Sequence, residues 1–118
     1  MNTLHTEEYY ERNLESIGRM RGTISLEKEL EHKLSCMDRS LFPDEQWSVI
    51  ESVFAKQVVE ETTAKLLEDK KVYIRVRNNP NCLGYTTQVQ TTQEAHRIIT
   101  VFEYNCYKLK QFKQRYSL

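Results

Sequence analysis

At 118 residues the chain is long enough for one domain, spanning 1–118, that buries about two thirds of the surface its unfolded form exposes, so neither a metal nor a disulfide is needed to hold it together. A composition of 39% hydrophobic and 29% charged residues, with seven Tyr, four Phe and one Trp, excludes disordered and membrane classes. The net charge of zero hides an asymmetry: residues 1–69 hold fifteen acids against eight bases, a net of −7, and residues 70–118 hold two acids against nine bases, a net of +7. Such a layout fits either a charged partner or two halves that attract each other.

The N-terminal stretch MNTLHTEEYYERNLESIGRM has neither the apolar core of a signal peptide nor the acid-poor look of a transit peptide. No run of about 18 apolar residues occurs, so a cytoplasmic location is expected. Cys36, Cys82 and Cys106 are odd in number and stand at spacings of 46 and 24, which fits no disulfide framework and no C-x-x-C motif. Reduced thiols are the expectation.

In chain order, Leu4, Tyr10, Leu14 and Ile17 recur at helical spacing before Gly22, and predict a first helix within 4–21. Ser25 is a candidate N-cap ahead of Leu26, Leu30, Leu34 and Met37 on one stripe, which predicts a second. Pro43, Asp44 and Glu45 have the composition of a helix start, where acids meet the positive dipole end. That third helix is predicted to reach about Asp69, with Trp47, Ile50, Phe54, Val58 and Leu66 or Leu67 inward and Lys70 and Lys71 closing it. Next, KVYIRVR (71–77) alternates Val72, Ile74 and Val76 with Tyr73, Arg75 and Arg77, the period of a strand with one buried and one basic, aromatic face. The turn-forming NNPNCLG (78–84) and Thr-rich YTTQVQ (85–90) complete a hairpin.

The last segment contains RIITVFEY, β-branched enough for a strand. Thr91 and Glu94, however, fit a T-x-x-E capping box, and Ala95, Ile98, Phe102, Cys106, Leu109, Phe112 and Tyr116 recur at threes and fours, so a helix is predicted. The expected class is therefore α+β: about four helices with a two-stranded antiparallel hairpin between the third and the last. Because a lone hairpin leaves its edges unpaired, pairing through the 72–77 edge would make a homodimer.

The last helix is predicted to turn Arg97, Tyr104, Tyr107, Lys108, Lys110, Gln111, Gln114 and Arg115 outward. With Tyr73, Arg75 and Arg77 that face could meet an acidic protein surface, stack and neutralise a nucleic acid, or be solvated surface. Nucleic acid is disfavoured by the neutral balance and by the lack of a helix-turn-helix, zinc-finger or RNP pattern.

His32 and Cys36 are four apart, but two ligands do not make a zinc site, and His5, His96, Cys82 and Cys106 are scattered. Cys82 is the candidate exposed thiol. No G-x-S-x-G, H-E-x-x-H or phosphate-cradling glycine loop is present, and the reading is of a non-enzyme without metal or cofactor. The expected function is a small intracellular protein-binding regulator, inhibitor or adaptor using Tyr73, Arg75, Arg77, Tyr104, Tyr107 and Lys108, with a nucleic-acid-binding regulator on the basic C-terminal half as the alternative.

Overall fold

Helix starts follow local chemistry. In the computed structural model, which describes residues 6–78 and 92–118, α1 (Glu7–Gly18) is capped by Thr6, whose hydroxyl oxygen accepts from Tyr9 N at 3.3 Å, with Glu7 and Glu8 in the first turn. In α2 (Leu26–Ser35) the predicted cap Ser25 accepts from Lys28 N at 3.4 Å. A single 3-10 turn, Arg39–Leu41, is held by the Asp38 carboxylate, which accepts from Ser40 N and Oγ. It leads into α3 (Asp44–Asn78), and the chain ends with α4 (Thr92–Arg115).

Among the described residues there is no strand. The described fold is all-α, which corrects the expected α+β class with its hairpin. Residues 71–77 are the last two turns of α3, and the homodimer through a 72–77 strand edge falls with that edge. The proposed second strand, 85–90, and most of its loop lie outside the described residues.

Two physical reasons favour helix here. Once a helix is nucleated, each further residue adds one hydrogen bond at little cost, and β-branched residues forfeit only tenths of a kcal/mol each, about 0.7 at most. No glycine or proline stands between Pro43 and Pro80 to stop it. Buried and half-buried positions of α3 that include Ala55, Val58, Thr62, Leu66, Asp69, Tyr73 and Val76 run at threes and fours through the supposed break at Asp69. Helical geometry turns Ile74 outward, 44% exposed, while Val76 is 4% exposed.

The chain groups into two units, residues 1–24 with 65–107 and residues 25–64 with 108–118. In the first, Tyr10, Ile17, Tyr104 and Tyr107 form one core cluster with Tyr9 against it, the Tyr10 ring stacking on Tyr107 at 5.0 Å. Val76 and Ala95 form another, flanked by Val72, Ile98 and Ile99. The buried Asn105 side chain accepts from Ile24 N at 3.0 Å and donates to Gly22 O at 3.1 Å. Gly22 itself has φ +96°, a conformation costly for any residue with a Cβ.

In the second unit Leu26, Leu30, Trp47, Ala55, Val58 and Phe112 are buried. The Arg39 guanidinium lies 5.3 Å from the Trp47 ring centre. Lys33 pairs with Glu61 at 2.7 Å, and Tyr116 donates to Glu51 at 3.3 Å. Among the described residues no helix is long and apolar enough to cross a membrane.

Candidate functional site

Within the first unit a partly open cleft of about 970 Å³ is built from two helix faces and a turn. α3 contributes Lys65, Glu68, Asp69, Lys71, Val72 and Arg75, and α4 contributes Glu94, Arg97, Ile98, Val101, Phe102 and Asn105. In both helices these positions recur mainly at intervals of three and four, which puts them on one face. The turn after α1 adds Arg21 and Gly22. Val72, Ile98 and Phe102 are half-buried, so part of the lining is apolar surface still open to a ligand.

The charged part is mostly self-compensated. Glu94 accepts from Arg97 Nε at 3.1 Å through either carboxylate oxygen and from Arg21 at 3.1 Å. Hydrogen bonds from Arg97 hold the Glu94 carboxyl below its ordinary range, partial burial opposes this, and the two guanidinium charges reinforce it. Arg97 also donates to Arg21 O at 2.6 Å, fastening the turn to α4. Lys65 pairs with Asp69 at 3.2 Å and Lys71 with Glu68 at 3.3 Å. Arg75 is exposed and makes no side-chain hydrogen bond or ion pair among the described residues.

Of the six residues singled out from the sequence, only Arg75 lines this cleft. Tyr73 stacks on the cleft residue Phe102, ring centres 4.4 Å apart, and donates its hydroxyl proton to the buried Glu103 at 2.9 Å. Burial, that hydrogen bond and the Glu103 charge raise the Tyr73 phenol above its ordinary value. Arg77 is half-buried. Tyr104 and Tyr107 are 5% and 9% exposed within the tyrosine cluster, not on an outer face. Lys108 is half-buried and belongs to the second unit.

Sequence reasoning missed Lys65, Lys71, Ile98 and Phe102 as neighbours around one opening. The i, i+4 pair Lys65–Asp69 and the i, i+3 pairs Lys71–Glu68 and Glu94–Arg97 were the available signal, since such spacings mark charged helix faces.

Other candidate chemistry is not assembled. His32 and Cys36 share one end of α2, where the Cys36 thiol donates to His32 O at 3.5 Å, and among the described residues no group of three metal-ligating side chains forms. Cys106 is exposed, and desolvation by the side chains around it, with the Glu103 carboxylate, pushes its thiol up, opposite to the shift that makes a thiol nucleophilic. His5 and Cys82 lie outside the described residues. Comparison with protein-family models, with curated proteins and with solved structures finds no match.

Proposed function

We propose that this protein is a binding module of the cell interior that acts by occupying a surface of another protein, as a regulator, inhibitor or adaptor. The observation that carries this reading is the cleft of the first unit, where half-buried Val72, Ile98 and Phe102 stand among charged side chains and beside Arg75, which has no ion pair among the described residues. Apolar surface with a polar surround and an arginine is the make-up of protein-recognition surfaces. Free Cys36 and Cys106 accord with a reducing compartment. Nucleic acid is the weaker reading. It needs several cations free to meet phosphates, and here Arg21, Lys65, Lys71 and Arg97 each already face a carboxylate.

The test is affinity capture from the native lysate, with and without nuclease, using the wild type and Arg75→Glu side by side. A protein retained after nuclease by the wild type supports the reading, and its loss from the variant places the contact at the cleft. Capture that disappears with nuclease overturns the reading in favour of nucleic acid.

A further inference from the structure

We propose that the cleft of the first unit takes a short amphipathic segment of a partner protein, apolar side chains seated on Val72, Ile98 and Phe102 and one Asp or Glu meeting Arg75. This rests on the binding-module reading and names the chemistry of the ligand.

Charge complementarity at named positions selects this ligand. Eight charged side chains line the cleft. Its three acids are each engaged: Glu94 by Arg21 and Arg97, Asp69 by Lys65, Glu68 by Lys71. Arg75, one helical turn beyond Lys71 and three residues from Val72, is the cleft cation left without a carboxylate among the described residues. A ligand carrying a carboxylate at that point gains a charge-assisted and geometrically bidentate partner without displacing any existing pair. A polyanion gains less there, because Lys65 and Lys71 each stand beside a carboxylate, Asp69 and Glu68, that would repel a second and third phosphate.

The apolar positions decide between a peptide and a small organic acid. Val72 and Arg75 lie one turn apart on α3, and Ile98 and Phe102 one turn apart on α4, so the apolar surface faces the opening from both helices. A lone carboxylate metabolite would leave that surface wet. A segment whose Leu, Ile or Phe sits one turn from an Asp or Glu fills it, and the volume of about 970 Å³ is at the upper end of the roughly 300–1,000 Å³ usual for ligand pockets.

A displayed library of random peptides, selected in parallel on the wild type, Arg75→Lys and Arg75→Glu, tests this. The wild type and Arg75→Lys should enrich sequences pairing large apolar residues with Asp or Glu, and Arg75→Glu should lose that enrichment. A synthetic peptide of the enriched sequence should bind Arg75→Glu at least about tenfold more weakly than the wild type and shift the amide signals of Val72, Arg75, Ile98 and Phe102. Circular dichroism of the variants should be unchanged, since position 75 is exposed. Enrichment of basic or purely apolar sequences, no enrichment, or binders indifferent to Arg75→Glu would overturn the assignment. If nuclease-resistant capture from the lysate succeeds while this selection fails, the partner docks elsewhere and only the cleft inference is lost.

Discussion

At the scale of single residues, Tyr73 and Arg75 separate roles that the sequence had joined. Tyr73 is structural, its ring on Phe102 and its hydroxyl on Glu103, whereas Arg75 stands in the cleft without a partner among the described residues. Tyr73→Phe keeps the stack but takes one donor from a carboxylate that is 4% exposed. The expected loss of stability is about 1–3 kcal/mol, read from denaturant unfolding. Arg75→Glu should cost within about 0.5 kcal/mol, as surface substitutions do. Equal losses would mean that the two side chains do not have these separate environments.

At the scale of elements, the starts of α2 and α3 were legible because caps and acidic first turns are local signals: Ser25 accepts from Lys28 N, and Asp44 and Glu45 open α3. The end of α3 was not legible. Val72, Ile74 and Val76 alternate as a strand would, and β-branched residues fit a strand better than a helix. Yet Leu66, Asp69, Tyr73 and Val76 continue the helical period, and packing along that period outweighs a propensity difference of tenths of a kcal/mol, roughly 0.7 at most. On the outer face assigned to α4, Lys110, Gln111, Gln114 and Arg115 are exposed, but Tyr104 and Tyr107 are not, for another reason. Val101, Glu103, Tyr104, Asn105 and Tyr107 are all buried, so this stretch is enclosed on more than one side, and a helix enclosed in that way shows no single apolar stripe.

The corrected geometry reverses an expectation from the strand reading, in which Ile74 and Val76 share a buried face. With Ile74 at 44% and Val76 at 4% exposure, Ile74→Lys should cost about 1 kcal/mol or less. Val76→Lys, which buries an unpaired ammonium, should lower stability by several kcal/mol, roughly 3 or more, or prevent folding. Thermal melts of the two variants side by side decide this, and equal damage would restore the alternation.

At the scale of the whole molecule, the −7 and +7 halves of the sequence are not simply matched across ion pairs. Arg115 with Glu27 joins basic to acidic half, but Arg21 with Glu94 runs the other way. Titration should be felt at both ends of the pH scale. The phenols of Tyr10, Tyr73 and Tyr107 are all raised, burial being the largest cause in each. A raised phenol stabilises the fold below the unfolded value near 10 and loses that contribution as pH climbs above it. Glu94 is lowered by its Arg97 hydrogen bonds, so its contribution is present above the ordinary carboxylate range and is lost as pH falls below about 4. Urea midpoints measured across pH should therefore fall at both extremes. Glu94→Gln should flatten the acid limb, and Tyr10→Phe the alkaline one. An acid limb unchanged by Glu94→Gln would show that the Arg21–Glu94–Arg97 cluster does not contribute to stability.

Everything proposed for the cleft depends on α3 running helically to Asn78, so that Val72 and Arg75 share an opening with Ile98 and Phe102. Backbone chemical shifts and nuclear Overhauser contacts over residues 70–78 test that most directly. Helical Cα and Cβ shifts unbroken from Asp69 to Arg77 are expected, with contacts between the Tyr73 and Phe102 rings. Extended-type shifts over 72–77, with the Tyr73 ring in no contact with Phe102, would contradict it.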